Sequence, residues 1–200
     1  MWKLAVSGNF TAFSLDHLSM PGTTFYIVYG GFNDVDIMST IARSYEIFSP
    51  GLSQVMIRSR TGGDDFYGND KESAGSDKIK VGFASHYFRQ HSVCKLICGV
   101  IHNLSDKFHV TVFSSAEKED EWTEYILARA DRFVRVPEGF LLKNRHIAAG
   151  LDLLVYPDIG MNPGSTVWAH SRLAPTQICF WGHPVTTGLP QMDYFITSQL

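Results

Sequence analysis

The chain has 200 residues, 44% hydrophobic and 13% aromatic, enough for one domain with a substantial core plus an N-terminal extension. Lys and Arg number 17 against 20 Asp and Glu, a formal charge of -3, and no basic stripe forms. That argues against a nucleic-acid partner. No run approaches the roughly 20 apolar residues of a membrane span, and Met1–Gly8 is too short and interrupted for a signal peptide.

Residues 1–58 read as a mainly helical extension. Ile37, Ile41, Tyr45 and Phe48 fall at spacings of three and four between Val35 and Phe48, which predicts an amphipathic helix with those four on its apolar face. Asn33 or Asp34 would cap its start, and Pro50-Gly51 follows its end. Residues 59–77 are rich in Gly, Asp, Ser and Asn and read as a flexible linker.

From Lys78 the pattern alternates. Strands are expected at 79–84, 109–113, 133–136, 151–156, 177–181 and 194–196, and helices at 91–104, 121–130, 142–149 and 166–173. Residues 78–200 therefore form an α/β unit, a Rossmann-like, doubly wound parallel sheet with right-handed crossovers. Cys94, Cys98 and Cys179 are odd in number and lie in apolar runs. They read as buried small hydrophobes in a reducing, cytoplasmic setting rather than as a disulfide framework or metal ligands.

Ligands of open parallel sheets bind beyond the carboxyl ends of the strands. The first such turn, Ala84-Ser85-His86-Tyr87-Phe88-Arg89-Gln90-His91, lacks the G-x-G-x-x-G of a dinucleotide site, so nicotinamide and flavin cofactors are not expected. Its histidines point instead to ligand contact through side chains. His91 would begin a helix, whose positive end holds an imidazole neutral. It is then a general base or hydrogen-bond partner for an attacking hydroxyl, or a capping residue without chemistry. His86 is a second contact or a surface residue.

Asp158, in Tyr156-Pro157-Asp158-Ile159-Gly160-Met161, would accept from sugar hydroxyls, orient a histidine, or close an Asx turn. His183 with Thr186, Thr187 and Gly188 would cradle a sugar or phosphate, or form a rigid corner. His102, His109, His146 and His170 have no matching partners. No H-E-x-x-H or paired C-x-x-C occurs, so a catalytic metal is not expected, and no G-x-S-x-G marks a hydrolase nucleophile.

Three segments in order, Lys80 to Val93, Tyr156 to Met161, and Leu173-Ala174-Pro175-Thr176-Gln177 with Trp181 to Gly188 and Met192 to Ile196, resemble the catalytic region of the O-linked N-acetylglucosamine transferase family, glycosyltransferase family 41. Phe25 to Tyr29 with Asn33-Asp34 resembles the segment preceding that region in bacterial-type relatives. The resemblance implies one lobe of a two-lobed, GT-B-type inverting transferase that moves a sugar from a UDP-sugar donor to protein or peptide acceptors, with no cofactor. It implies His91 at the active-site position, and His86 at a histidine found in relatives that glycosylate Asn. Asp158, Gly160, His183, Thr186, Thr187 and Gly188 would lie near the donor sugar. The tetratricopeptide repeats and the nucleotide-binding second lobe of the family are absent from the sequence, so little turnover is expected of this chain alone. The alternatives are a non-catalytic lobe serving binding or assembly and, more distantly, an unrelated Rossmann-like enzyme.

Overall fold

A computed structural model describes residues 24–53, 77–136, 148 and 150–198. The expected linker, apart from Asp77, and nearly all of the helix at 142–149 lie outside the described residues. A 3-10 helix at Thr24–Gly30 precedes α1, Val35–Phe48. There follow β1 (Ile79–Ser85), α2 (Ser92–Asn103), β2 (Phe108–Ser114), α3 (Glu121–Leu127), β3 (Arg132–Arg135), β4 (Leu153–Tyr156), α4 (Pro163–Ala169), β5 (Thr176–Phe180) and β6 (Tyr194–Ile196).

The six strands form one parallel sheet in the order β3-β2-β1-β4-β5-β6. The chain winds outward from β1 in one direction, then returns to β4 beside β1 and winds out in the other. The fold is therefore a doubly wound, Rossmann-like α/β sheet, and its topological switch point lies between β1 and β4.

Alternation along β1 builds both layers. Val81 and Phe83 enter a cluster with Cys94, Ile97, Ile101 and Ile126 of α2 and α3, while Ala84 joins Phe113, Leu154, Tyr156 and Trp168 on the other face. Cys94, Cys98 and Cys179 are buried free thiols, and burial pushes Cys94 and Cys179 up to about 12. No described helix is long and apolar enough to cross a membrane.

Helix α1 has the expected bounds and keeps Ile41 and Tyr45, both partly buried, on its inward side, but the centre of that side is shifted. Met38 and Ala42 are buried, whereas Ile37 and Phe48 remain 48% and 38% exposed. Gly188 abuts the Met38–Ser39 backbone, and Ala42, one turn on, packs in the cluster that holds Leu189. Asn33 rather than Asp34 bonds the helix start, its Oδ1 accepting from the Val35 amide at 3.2 Å. Helix α4 begins and ends earlier than expected because Asn162 caps the Ser165 amide with Pro163 at the first helical position.

The stretch between α4 and β5 is held by Gln177, which is fully buried. Its Oε1 accepts from the Leu173 amide at 2.9 Å, and its Nε2 donates to the Ser171 and Gln191 carbonyls, each at 3.1 Å. Replacing Gln177 by leucine leaves these backbone groups unpaired and is expected to cost about 2 kcal/mol. A urea midpoint shifted at constant slope would register it; an unmoved midpoint would refute the bracing role.

Candidate active site

The turn after β1 is fixed from beneath. Phe88 is fully buried among α2 and α3, its carbonyl accepts from Thr123 Oγ1 at 2.7 Å, and the Gln90 amide donates to Asp120 Oδ2 at 2.5 Å. Asp120 and Thr123 also form the capping box of α3. Neither residue announces this role in the sequence, although the D-x-x-T spacing before α3 is visible there. With its backbone so held, the turn leaves His86, Tyr87, Arg89 and His91 as its partly exposed groups.

His91 is the N-cap of α2, its Nδ1 accepting from the Val93 amide at 3.2 Å. Its ring stacks on Tyr87 with centroids 4.1 Å apart and planes at 22°. Burial chiefly, then the positive charges of Arg89 and His86, hold its pKa below the usual imidazole value. A neutral ring that accepts through Nδ1 carries its proton on Nε2, so His91 offers an N–H donor outward. That geometry suits the hydrogen-bond-partner alternative and disfavours the general base.

His86 lies across the switch point from Asp158: its backbone N–H donates to Asp158 Oδ2 at 3.2 Å, and its Nδ1 is 3.5 Å from Ser115 Oγ. Asp158 is fully buried at the end of β4, and the same Oδ2 accepts from Ser165 Oγ at 3.0 Å. Burial raises its pKa to about 7, against the hydrogen bonds from His86 and Ser165. The expected acceptor of sugar hydroxyls is thus sealed below the surface, where it ties β1 to β4 and α4.

Gly160 follows with φ +94°, and a methyl group there would come within 2.6 Å of the His183 ring. His183 is 1% exposed, filling the space between Gly160 and Phe25, on which it stacks at 5.2 Å and 25°. Its ring nitrogens have no hydrogen-bond partner among the described residues, and burial holds its pKa down. The open rim expected for His183 is therefore corrected: Phe25, outside the strand pattern, covers it. Gly182 packs so closely on the turn after β4 that a β-carbon would stand 2.2 Å from the Pro157 carbonyl oxygen.

Thr186, Thr187 and Gly188 go elsewhere. They line a groove of about 790 Å³ with Asp36, Arg43 and Tyr194, and none of the histidines lines it. The Thr186 and Thr187 hydroxyls accept from the Gly188 and Leu189 amides at 3.4 and 3.2 Å. The structure thus brings His86, His91, Asp158, Gly160 and His183 to the ends of β1, β4 and β5, but turns the threonine loop toward α1. Among the described residues no group of three or more His, Cys, Asp or Glu could hold a metal ion.

Fold and site define a class: a Rossmann-like lobe that presents imidazoles, in place of a glycine-rich phosphate loop, at its switch point. No family profile matches the sequence. Over 138 residues, 64% of this chain, it is 27% identical to the probable UDP-N-acetylglucosamine-peptide N-acetylglucosaminyltransferase SEC of Arabidopsis thaliana. It also superposes, with a TM-score of 0.59 and 21% identity over 82% of this chain, on a mutant O-GlcNAc transferase of Thermobaculum terrenum, a match that bears on the fold. The chain is thus similar in sequence to a protein N-acetylglucosaminyltransferase over part of its length and shares the fold of part of a bacterial O-GlcNAc transferase. The chain spans 14% of the plant protein and 30% of the bacterial one.

Proposed function

We propose that this chain forms the N-terminal catalytic lobe of an inverting protein glycosyltransferase that uses a UDP-sugar, N-acetylglucosamine being the sugar of the named relatives, to modify Ser or Thr of protein acceptors in the cytoplasm. The observation that carries the reading is the meeting of His91, His86 and Asp158 at the β1–β4 switch point. There, His91 Nε2–H donates a hydrogen bond to an oxygen of the substrates. His86, braced through its amide by Asp158, faces the same turn. The acceptor oxygen attacks the anomeric carbon in line as the diphosphate departs, and its proton passes to a phosphate oxygen of that leaving group. Developing charge is met by preoriented donors, of which this lobe supplies the His91 N–H. The second lobe, characteristic of two-lobed transferases, supplies most contacts to the diphosphate.

In a longer chain carrying that lobe, His91→Ala is expected to lower sugar transfer about 100-fold, the usual cost of one lost transition-state donor. His91→Gln, whose amide retains a donor, recovers part of the rate. Transfer at the wild-type rate by His91→Ala would refute the role. Acceptor peptides with Asn in place of Ser or Thr separate this reading from that of an asparagine-modifying relative. In calorimetry the 200-residue chain is expected to bind the UDP-sugar weakly, and tight binding would contradict the need for a second lobe.

A further inference from the structure

We infer that Tyr87 is the positioning residue for His91, its ring laid on the imidazole face. The bond from the Val93 amide to Nδ1 fixes one in-plane direction of the His91 ring but leaves it free to rock about that line. The stacked phenol, 4.1 Å away, closes one face. Tyr87 is held in turn: its amide donates to Ser85 Oγ at 2.9 Å, its hydroxyl donates to the Met161 carbonyl at 3.5 Å, and the next residue, Phe88, is fully buried. The His86 ring meets it edge-on at 5.1 Å, and the Arg89 guanidinium lies 5.8 Å from its centroid.

One aromatic ring therefore connects both histidines of the turn after β1 to the turn after β4. It keeps water from one side of His91 and holds Arg89 nearby, the first and second causes of that imidazole's lowered proton affinity. The other charged or titratable groups facing the turn are His86, Asp158 at the end of β4 through the His86 amide, and, through Gln90, Asp120 of the α3 cap.

The inference rests on the role given to His91 above, but its first test needs no turnover. In NMR spectra of the 200-residue chain, the His91 ring is expected to show a single Nε2–H tautomer and ring protons shifted upfield by the phenol. Its titration midpoint is expected below the ordinary value of about 6.5. Tyr87→Phe keeps all three features. Tyr87→Leu loses the upfield shift and moves the midpoint up toward the ordinary value, while the Val93 amide keeps the tautomer. Should Tyr87→Leu not fold, Tyr87→Met gives the same comparison at another side-chain shape. Unshifted ring protons in the wild type, or an unchanged midpoint without the aromatic ring, would overturn the inference.

In the longer chain, Tyr87→Leu is expected to lower kcat at least about tenfold with little change in the donor KM, as misorientation of a held group does. The NMR signature without any sugar transfer would remove the proposed function and leave the positioning intact. Transfer that depends on His91 and not on Tyr87 would remove the positioning alone.

Discussion

Replacing Gly182 by alanine is expected to lower the unfolding free energy by at least about 3 kcal/mol and to part the turns after β4 and β5. A β-carbon built there stands 2.2 Å from the Pro157 carbonyl oxygen and 3.3 Å from Val93 Cγ1. Neither neighbour can retreat cheaply. Pro157 follows Tyr156, fully buried in β4, and precedes Asp158, bonded to His86 and Ser165. Val93 is buried in the first turn of α2, where its amide holds His91. Relief of the clash must therefore displace the corner from which His183 reaches its place between Gly160 and Phe25. Gly99→Ala is the control: a β-carbon there meets nothing within 4 Å and lies on α2, so it is expected to stabilise by up to about 1 kcal/mol. Urea unfolding of both variants at equal slope measures the contrast, and a Gly182→Ala cost no larger than that gain would show that the two turns do not touch.

The sequence announced this sheet because each strand is a short apolar run followed by polar punctuation. Val35–Phe48 and Tyr194–Ile196 have the bounds read from it. The strand-end positions of His86, His91, Asp158 and His183 followed from the same pattern. What it hid is depth. An aspartate and a histidine in turn-rich segments look solvent-facing, yet both are sealed, Asp158 by convergence of β1, β4 and α4 and His183 by Phe25, more than 150 positions away. The orientation of α1 was likewise hidden, since the closeness of Gly188 to the Met38–Ser39 backbone is a contact that no periodicity records. The tautomer of His91 depends on one amide bond. Position told which residues reach the edge, and only packing told which of them meet solvent there.

Depth has a measurable signature in the pH dependence of stability. Asp158, raised to about 7 by burial, keeps a proton in the folded chain that the unfolded chain releases near pH 4. Across that window the folded state binds more protons, so this residue makes stability fall as pH rises, by up to about 1.4 kcal/mol per pH unit and about 4 kcal/mol in all. His170 has the opposite sign. It is 1% exposed, its ring nitrogens lack partners among the described residues, and burial, against a weaker opposing pull from Glu46, lowers its pKa to about 4. Between pH 4 and about 6.5 the unfolded chain binds the proton that the folded chain refuses, so His170 makes stability rise with pH by about 3 kcal/mol. His91 and His183, both lowered, act in the same direction as His170. The opposing slopes largely cancel in the wild type, which masks each contribution. Asp158→Asn retains an oxygen to accept from His86 and Ser165 while removing the titration, so its stability relative to wild type is expected to climb by about 1.4 kcal/mol per unit between pH 4 and 7. His170→Phe, relative to wild type, is expected to decline between pH 4 and 6.5, starting from a gain conferred by removing two unpartnered nitrogens. Urea unfolding from pH 4 to 8 separates the two curves, and a difference that stays level for Asp158→Asn would mean that the carboxyl is already ionised at the switch point.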